Sequence, residues 1–367
     1  MQNRKKQNHP QVVSSHQVDA ASELSVGEQA ASILGIQAAT VPSSVSSSPR
    51  LAGLDRSVQA WARRGDAEPL IRWLDRTLDV DGVPRRLRLA DWPACLSALS
   101  EAYLQREARW RVVVDARVEG FLRAMLRFGR PDGSLVFEPG PPPQDRAQQL
   151  RFWAERLSDP ALAAVLDIWS PSTAQNRRRR SAPPLPADAR PDRPLAILRA
   201  DWSPQGDLLA IDQRDRDQPC LLELVGLGRQ WLGPRWLSGS DFEPTSPPRP
   251  TVWRTGPYAD LAEWTFRTGG SRVSRSALLL RGRQLALIAE QVDGGDGDAS
   301  WRVELPPDVT PINLPGTRAL MLSAARGGTS RVLPIGLPTL SYPTERGSLV
   351  AEGQQLILRQ HREGRRC

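Results

Sequence analysis

The chain has 367 residues, 40% hydrophobic and 25% charged, with a formal net charge of +8, which fits a soluble globular protein with room for two ordinary domains. Residues 171–194 hold six basic against two acidic side chains and so carry half of that net charge, leaving the folded parts near neutral. This argues against a nucleic-acid-binding face, which needs clustered cations to displace counterions, and no nucleic acid is expected as a partner.

The three cysteines, Cys95, Cys220 and Cys367, lie far apart without any paired metal-ligand spacing. They read as reduced thiols of a cytosolic chain. The opening MQNRKKQNHPQVVSS has charge but no apolar run behind it, which predicts no signal peptide and no membrane span. A cytoplasmic location follows, unless a misassigned start codon hides an export signal.

Residues 1–50 are polar and Ser-rich and predict a disordered tail, because they bury too little apolar surface to offset the entropy of ordering. From Leu51 the period turns helical. Leu54, Val58 and Trp61 share one face, and Leu70, Leu74 and Leu78 share another after the Gly65-Asp66 break. Asp91 and Pro93 open a third helix with Trp92, Cys95, Leu96, Leu99 and Tyr103 on one side. A fourth is predicted over about 107–128, carrying Trp110, Val113, Val114, Phe121 and Met125 and closed by Gly129 and Pro131. Aromatics at this spacing read as core and not as sugar platforms. FGRPDGSLVFEPGPPP forms a turn and a short extended piece, and helices resume over 144–157 and, after Asp159 as cap, 159–169. Six helices over 51–170 predict a domain of stacked helical hairpins.

Residues 171–194 are Pro-rich, include Arg177 to Arg180, and read as an extended, solvated linker. After Pro194 about a dozen short apolar or alternating runs predict an antiparallel β-sandwich over 195–367. DWSPQGDLLAID looks like one β-propeller repeat, but it occurs once and a propeller closes only with several blades. The final QQLILRQHREGRRC reads as a strand and a turn without a return strand, so the sheet is expected to be truncated at this end.

Catalytic inventories are thin. The only histidines are His9 and His16, in the tail, and His361, at the frayed end, so Ser–His or Cys–His catalysis has no base. No Walker pattern exists, and GLGRQW lacks the third glycine of a dinucleotide fingerprint. No cofactor is expected. Asp293 to Glu304 has acids at the outer positions of a calcium loop, but Gly295 and Gly297 stand where acids belong, so it reads as a hairpin and no metal is expected. Asp260 and Glu263 fall on opposite faces of a strand and read as side chains exposed to solvent.

RVSRSALLLRGRQLALIAEQVDG, Arg272 to Gly294, and WRVELPP, Trp301 to Pro307, resemble the C-terminal β-sandwich of the heparinase II/III-like polysaccharide lyases. The resemblance implies an α+β chain of two domains, a partial α/α-toroid-like domain of helical hairpins followed by an antiparallel β-sandwich. It implies lyase chemistry in which histidine and tyrosine act as base and acid beside an asparagine that neutralises a uronate. This chain has no histidine between His16 and His361, and Tyr258 is the one tyrosine close to the matching stretch. The expectation is a noncatalytic heparinase-like protein that binds acidic polysaccharide through Trp253, Tyr258, Trp264 and Arg267, whose flat rings and guanidinium suit acidic sugars. One alternative is an active lyase performing β-elimination with Tyr258 as acid or base. Another is a structural fragment without a ligand.

Overall fold

A computed structural model of the chain describes residues 49–85, 87–105, 115–138, 146–169, 182–189, 194–215, 219–238, 244–268, 271–294, 299–337 and 347–360. The expected N-terminal tail before residue 49, Trp110, Val113 and Val114, the Arg177–Arg180 run, residues 295–298 of the acidic loop and the end from His361 onward lie outside the described residues.

Among the described residues six α-helices come first: α1 (Pro49–Arg64), α2 (Glu68–Thr77), α3 (Trp92–Gln105), α4 (Asp115–Arg127), α5 (Arg146–Arg156) and α6 (Pro160–Trp169). Their register follows the apolar spacing, with Leu54, Trp61, Leu70, Leu74, Trp92, Phe121 and Trp153 all buried. Asp159 caps α6 as its position predicts, its Oδ1 accepting from the N–H groups of Ala161 at 2.8 Å and Leu162 at 3.2 Å.

The rest is antiparallel sheet. The largest sheet has nine strands: β1 (Asp188–Ala189), β2 (Leu195–Arg199), β3 (Leu208–Asp212), β4 (Cys220–Gly226), β6 (Arg235–Ser238), β11 (Ala299–Glu304), β16 (Gln355–Gln360) and β15 (Gly347–Glu352) in that spatial order, with β5 (Arg229–Leu232) paired to β4. A second sheet runs β10 (Leu285–Asp293), β9 (Ser271–Leu280), β8 (Ala259–Thr268), β7 (Arg249–Thr255). A third has β12 (Val309–Asn313), β13 (Leu320–Ala324) and β14 (Thr329–Val332). The molecule is therefore a mixed α+β protein, helices first and antiparallel sheets after. DWSPQG is the connection between β2 and β3.

Burial explains two different strand patterns. Every residue of β2 and β3 is buried. Leu195, Ile197, Leu208 and Ala210 join the helical core, whereas Ala196, Leu198, Leu209 and Ile211 face the other sheets. Strands covered on both faces read as continuous apolar runs, which is why LAILR and LLAID do not alternate. β8 and β9, covered on one face, alternate strictly. Ala262, Trp264, Ala277 and Leu279 of the four-stranded sheet and Leu320 and Leu322 of the three-stranded sheet pack against Leu222, Trp236, Val303 and Leu356 of the large one. Between β10 and β14, each at the edge of its sheet, lies an apolar cavity of about 460 Å³ lined by Leu285, Ile288, Trp301, Val332, Leu349 and Leu358.

The helices and the large sheet thus share one core, and charged contacts reinforce the seam. Arg130 meets the buried Glu223 of β4. Arg199 of β2, 1% exposed, lies over the rings of Trp169 and Trp202 at 5.8 and 5.1 Å. Its Nη2 donates to the carbonyls of Arg127, at 3.1 Å, and Gly129, which end α4. Burial pulls its pKa down to about 9, with Asp201 opposing. The described part of the expected solvated linker is packed into this seam. Ala187 is buried, Trp202 Nε1 donates to Pro184 O at 2.7 Å, and Asp188 and Ala189 pair with β2.

Candidate binding groove at the helix–sheet junction

The four residues singled out by their chemistry do not form one surface. Trp264 is 1% exposed. It belongs to the inward row of β8 with Ala262 and Phe266, so its ring is spent on the core and does not reach a sugar. Trp253 on β7 is half-buried and packs against the same core. Tyr258, 82% exposed, sits in the β7–β8 turn. Arg267 is exposed near the other end of β8, nine residues on and so about 30 Å away along the strand.

The structure instead gathers a polar cluster beside Tyr258. Asp260, expected at the surface, is 0% exposed, because it occupies the same inward row of β8 as Ala262 and Trp264. Its Oδ1 accepts from Thr255 Oγ1 at 2.5 Å and from Arg281 Nη2 at 2.7 Å. Arg281 Nη2 also donates to Thr255 Oγ1 at 3.2 Å. Arg281 follows β9, where Leu280 pairs with Ala259, and its backbone N donates to Tyr258 O at 2.8 Å. Hairpin register therefore delivers Arg281 to Asp260. Glu263 faces the other way, accepting from Thr251 Oγ1 at 3.0 Å and Ser276 Oγ at 3.1 Å.

Arg281 lines an open groove of about 480 Å³ at the seam between helices and sheets. Its other walls are Ile168 of α6, the prolines 183, 184 and 186 with Leu185, and Ala200 to Ser203. Trp202 is buried there and anchors the proline wall through its indole N–H, while Leu185 is 62% exposed. Asp201 Oδ1 accepts from Ser203 N at 2.7 Å. Burial, aided by the nearby Asp201 charge, raises the carboxyl of Asp207 above its ordinary range. The groove thus offers one guanidinium and apolar walls, together with the Asp201 carboxylate, whose Oδ1 is occupied by the Ser203 amide.

Two other charged sites are internally matched. A cleft of about 610 Å³ is lined by Glu138, Glu223, Glu304 and Glu352, and each carboxylate faces an arginine: Arg146, Arg130, Arg235 and Arg359 respectively. Arg275 and Glu290 pair at 2.7 Å, enclosed with Trp236 and Phe266. Among the described residues no group of histidine, cysteine, aspartate or glutamate is arranged to hold a metal ion, and no helix is long and apolar enough to cross a membrane.

Sequence reasoning put Asp260 at the surface and did not single out Arg281, although one signal was present. Asp260 shares the period-two row of Ala262, Trp264 and Phe266, and an acid in an apolar row requires a partner.

No family model matches the chain, and no curated protein matches it. Two solved structures do. The heparan sulfate lyase HepC from Pedobacter heparinus aligns with a TM-score of 0.61 at 14% identity, over 85% of this chain and 56% of that one. A heparinase III gene product aligns with a TM-score of 0.62 at 11% identity, over 87% of this chain and 57% of that one. The resemblance read from Arg272 to Gly294 and Trp301 to Pro307 is thus matched by a shared fold. The chain spans less than two thirds of either lyase.

Proposed function

We propose that this chain is a noncatalytic lyase-like protein, a partial helical toroid followed by a β-sandwich, that holds a stretch of acidic polysaccharide in the groove at their junction. The observation that carries the reading is Arg281, a guanidinium fixed by a buried carboxylate at the edge of an open groove, in a fold shared with heparan sulfate lyases. Uronate would dock on Arg281, with the exposed ring of Tyr258 flanking it. Arg267 and the exposed edge of Trp253 would touch only a chain long enough to run the length of β8.

The test is calorimetric titration with oligosaccharides of heparan, heparin, alginate and chondroitin, alongside the absorbance of unsaturated product. Binding of at least one class is expected, without product. Arg281→Gln should weaken it about 10- to 100-fold, the loss of one charge-assisted hydrogen bond. Equal affinity of wild type and Arg281→Gln, or no binding at all, would sink the reading.

A second reading, an active β-eliminating lyase, is favoured by the exposed phenol of Tyr258, whose backbone O accepts from the backbone N–H of Arg281, a cation able to neutralise a uronate. Unsaturated product that vanishes in Tyr258→Phe would replace the noncatalytic reading with this one.

A further inference from the structure

We infer that Asp260 is a positioning residue for the groove, fixing the Arg281 guanidinium before any ligand arrives. The inference rests on the binding reading above and adds a second residue to that site.

Asp260 is poorly explained as a purely structural residue. It stands at the start of the inward row of β8, ahead of Ala262 and Trp264, with no exposed surface. Its Oδ1 is doubly engaged, by Thr255 and Arg281, while Oδ2 is buried without a hydrogen-bond partner among the described residues. Burying a carboxylate oxygen unpaired is costly, and an apolar residue at this position would avoid the cost. What the acid provides that an apolar residue cannot is a fixed anchor for Arg281.

Arg281 shows the other half of the arrangement. Its backbone N is held by Tyr258 O, and its Nη2 by Asp260 and Thr255. Its Nε is buried without a partner, whereas Nη1 is neither buried nor hydrogen-bonded among the described residues. Nη2 is thus locked by two partners in a residue that lines the groove. Arginine loses much rotamer freedom when ordered, so ordering it in the free protein lowers the cost of binding. Because Asp260 neutralises the pair, attraction depends on one directed N–H and not on bulk positive charge. An unsulfated, carboxylate-only uronan is the ligand class that needs no more than this.

The experiment compares wild type, Arg281→Gln, Asp260→Asn and Thr255→Val for affinity toward an unsulfated oligouronate, and follows the Arg281 Nε–H resonance by NMR. Asp260→Asn keeps the shape and the Thr255 contact but removes the charge. It should bind about 10-fold more weakly, with the Arg281 resonance broadened by rotamer averaging and near-UV dichroism unchanged. Thr255→Val should fall between it and wild type, and serves if Asp260→Asn fails to fold. Wild-type affinity in Asp260→Asn, or in Thr255→Val with a mobile Arg281, overturns the positioning role while leaving the groove intact. Wild-type affinity in Arg281→Gln instead removes the groove reading itself.

Discussion

Replacing Arg130 by methionine should destabilise the protein by about 3–5 kcal/mol, the cost of leaving a buried charge without its partner. The side chain of Glu223 is 1% exposed on β4. Its Oε1 accepts from Arg130 Nε at 2.9 Å and Nη2 at 2.6 Å, and its Oε2 from Nη2 at 2.6 Å and the Phe137 N–H at 2.8 Å. Methionine matches the arginine stem in volume, so the loss isolates the guanidinium. Only the Phe137 amide would remain on the carboxylate. Adding Glu223→Leu removes the stranded charge, and the double variant should recover to within about 1–2 kcal/mol of wild type, short by the unpaired amide of Phe137. Urea unfolding measures both, followed by far-UV dichroism for the helices and tryptophan fluorescence for the whole. Because helices and large sheet share a core, the two probes should trace one transition. A loss below about 1 kcal/mol in Arg130→Met, or a helical transition separate from the fluorescence change, would refute the coupling drawn here.

Two further outcomes follow from buried groups. Burial pushes the thiols of Cys95 and Cys220 up, the latter to about 12, so both should resist Ellman's reagent at pH 8 in a Cys367→Ser background and react at once in denaturant; rapid labelling of the native protein would contradict this. The carboxyl of Glu138 is raised by burial, but hydrogen bonds from Arg146 and Leu135 outweigh that and hold it below its ordinary 4.5. The folded value lies under the unfolded one, so the stability it contributes is complete above about pH 4.5 and is lost as pH falls through the lower folded value. Glu138→Gln should therefore lower stability at pH 7 by about 1–3 kcal/mol and flatten the acid limb of a stability-against-pH curve; an unchanged limb would refute it.

Much of the local structure was legible because it depends on local spacing. The steps Leu54, Val58, Trp61 and the Asp159-Pro160 start place α1 and α6 without reference to anything distant. The apolar runs of β2 and β3 marked strands, but nothing within five residues says that helices cover one of their faces. The site was less legible for a different reason. Trp264 was chosen for its ring, while its register with Ala262 and Phe266 already directed it inward. Arg281 lies in a turn, and its meeting with Asp260 depends on how β8 pairs with β9, which side-chain type does not encode.

The strand order of the large sheet has a bearing on how cells make this protein. β6 lies between β4 and β11, and β11 in turn needs β16, so neighbours in space are far apart along the chain. When β6, ending at Ser238, leaves the ribosome, its partner from Ala299 has not been translated. At ~5–20 residues per second that edge waits for roughly 3–12 s beside a nascent apolar sheet face. Yield in a foreign host should then depend less on final stability than on chaperones that shield the nascent chain, and slower translation would lengthen the exposure instead of relieving it.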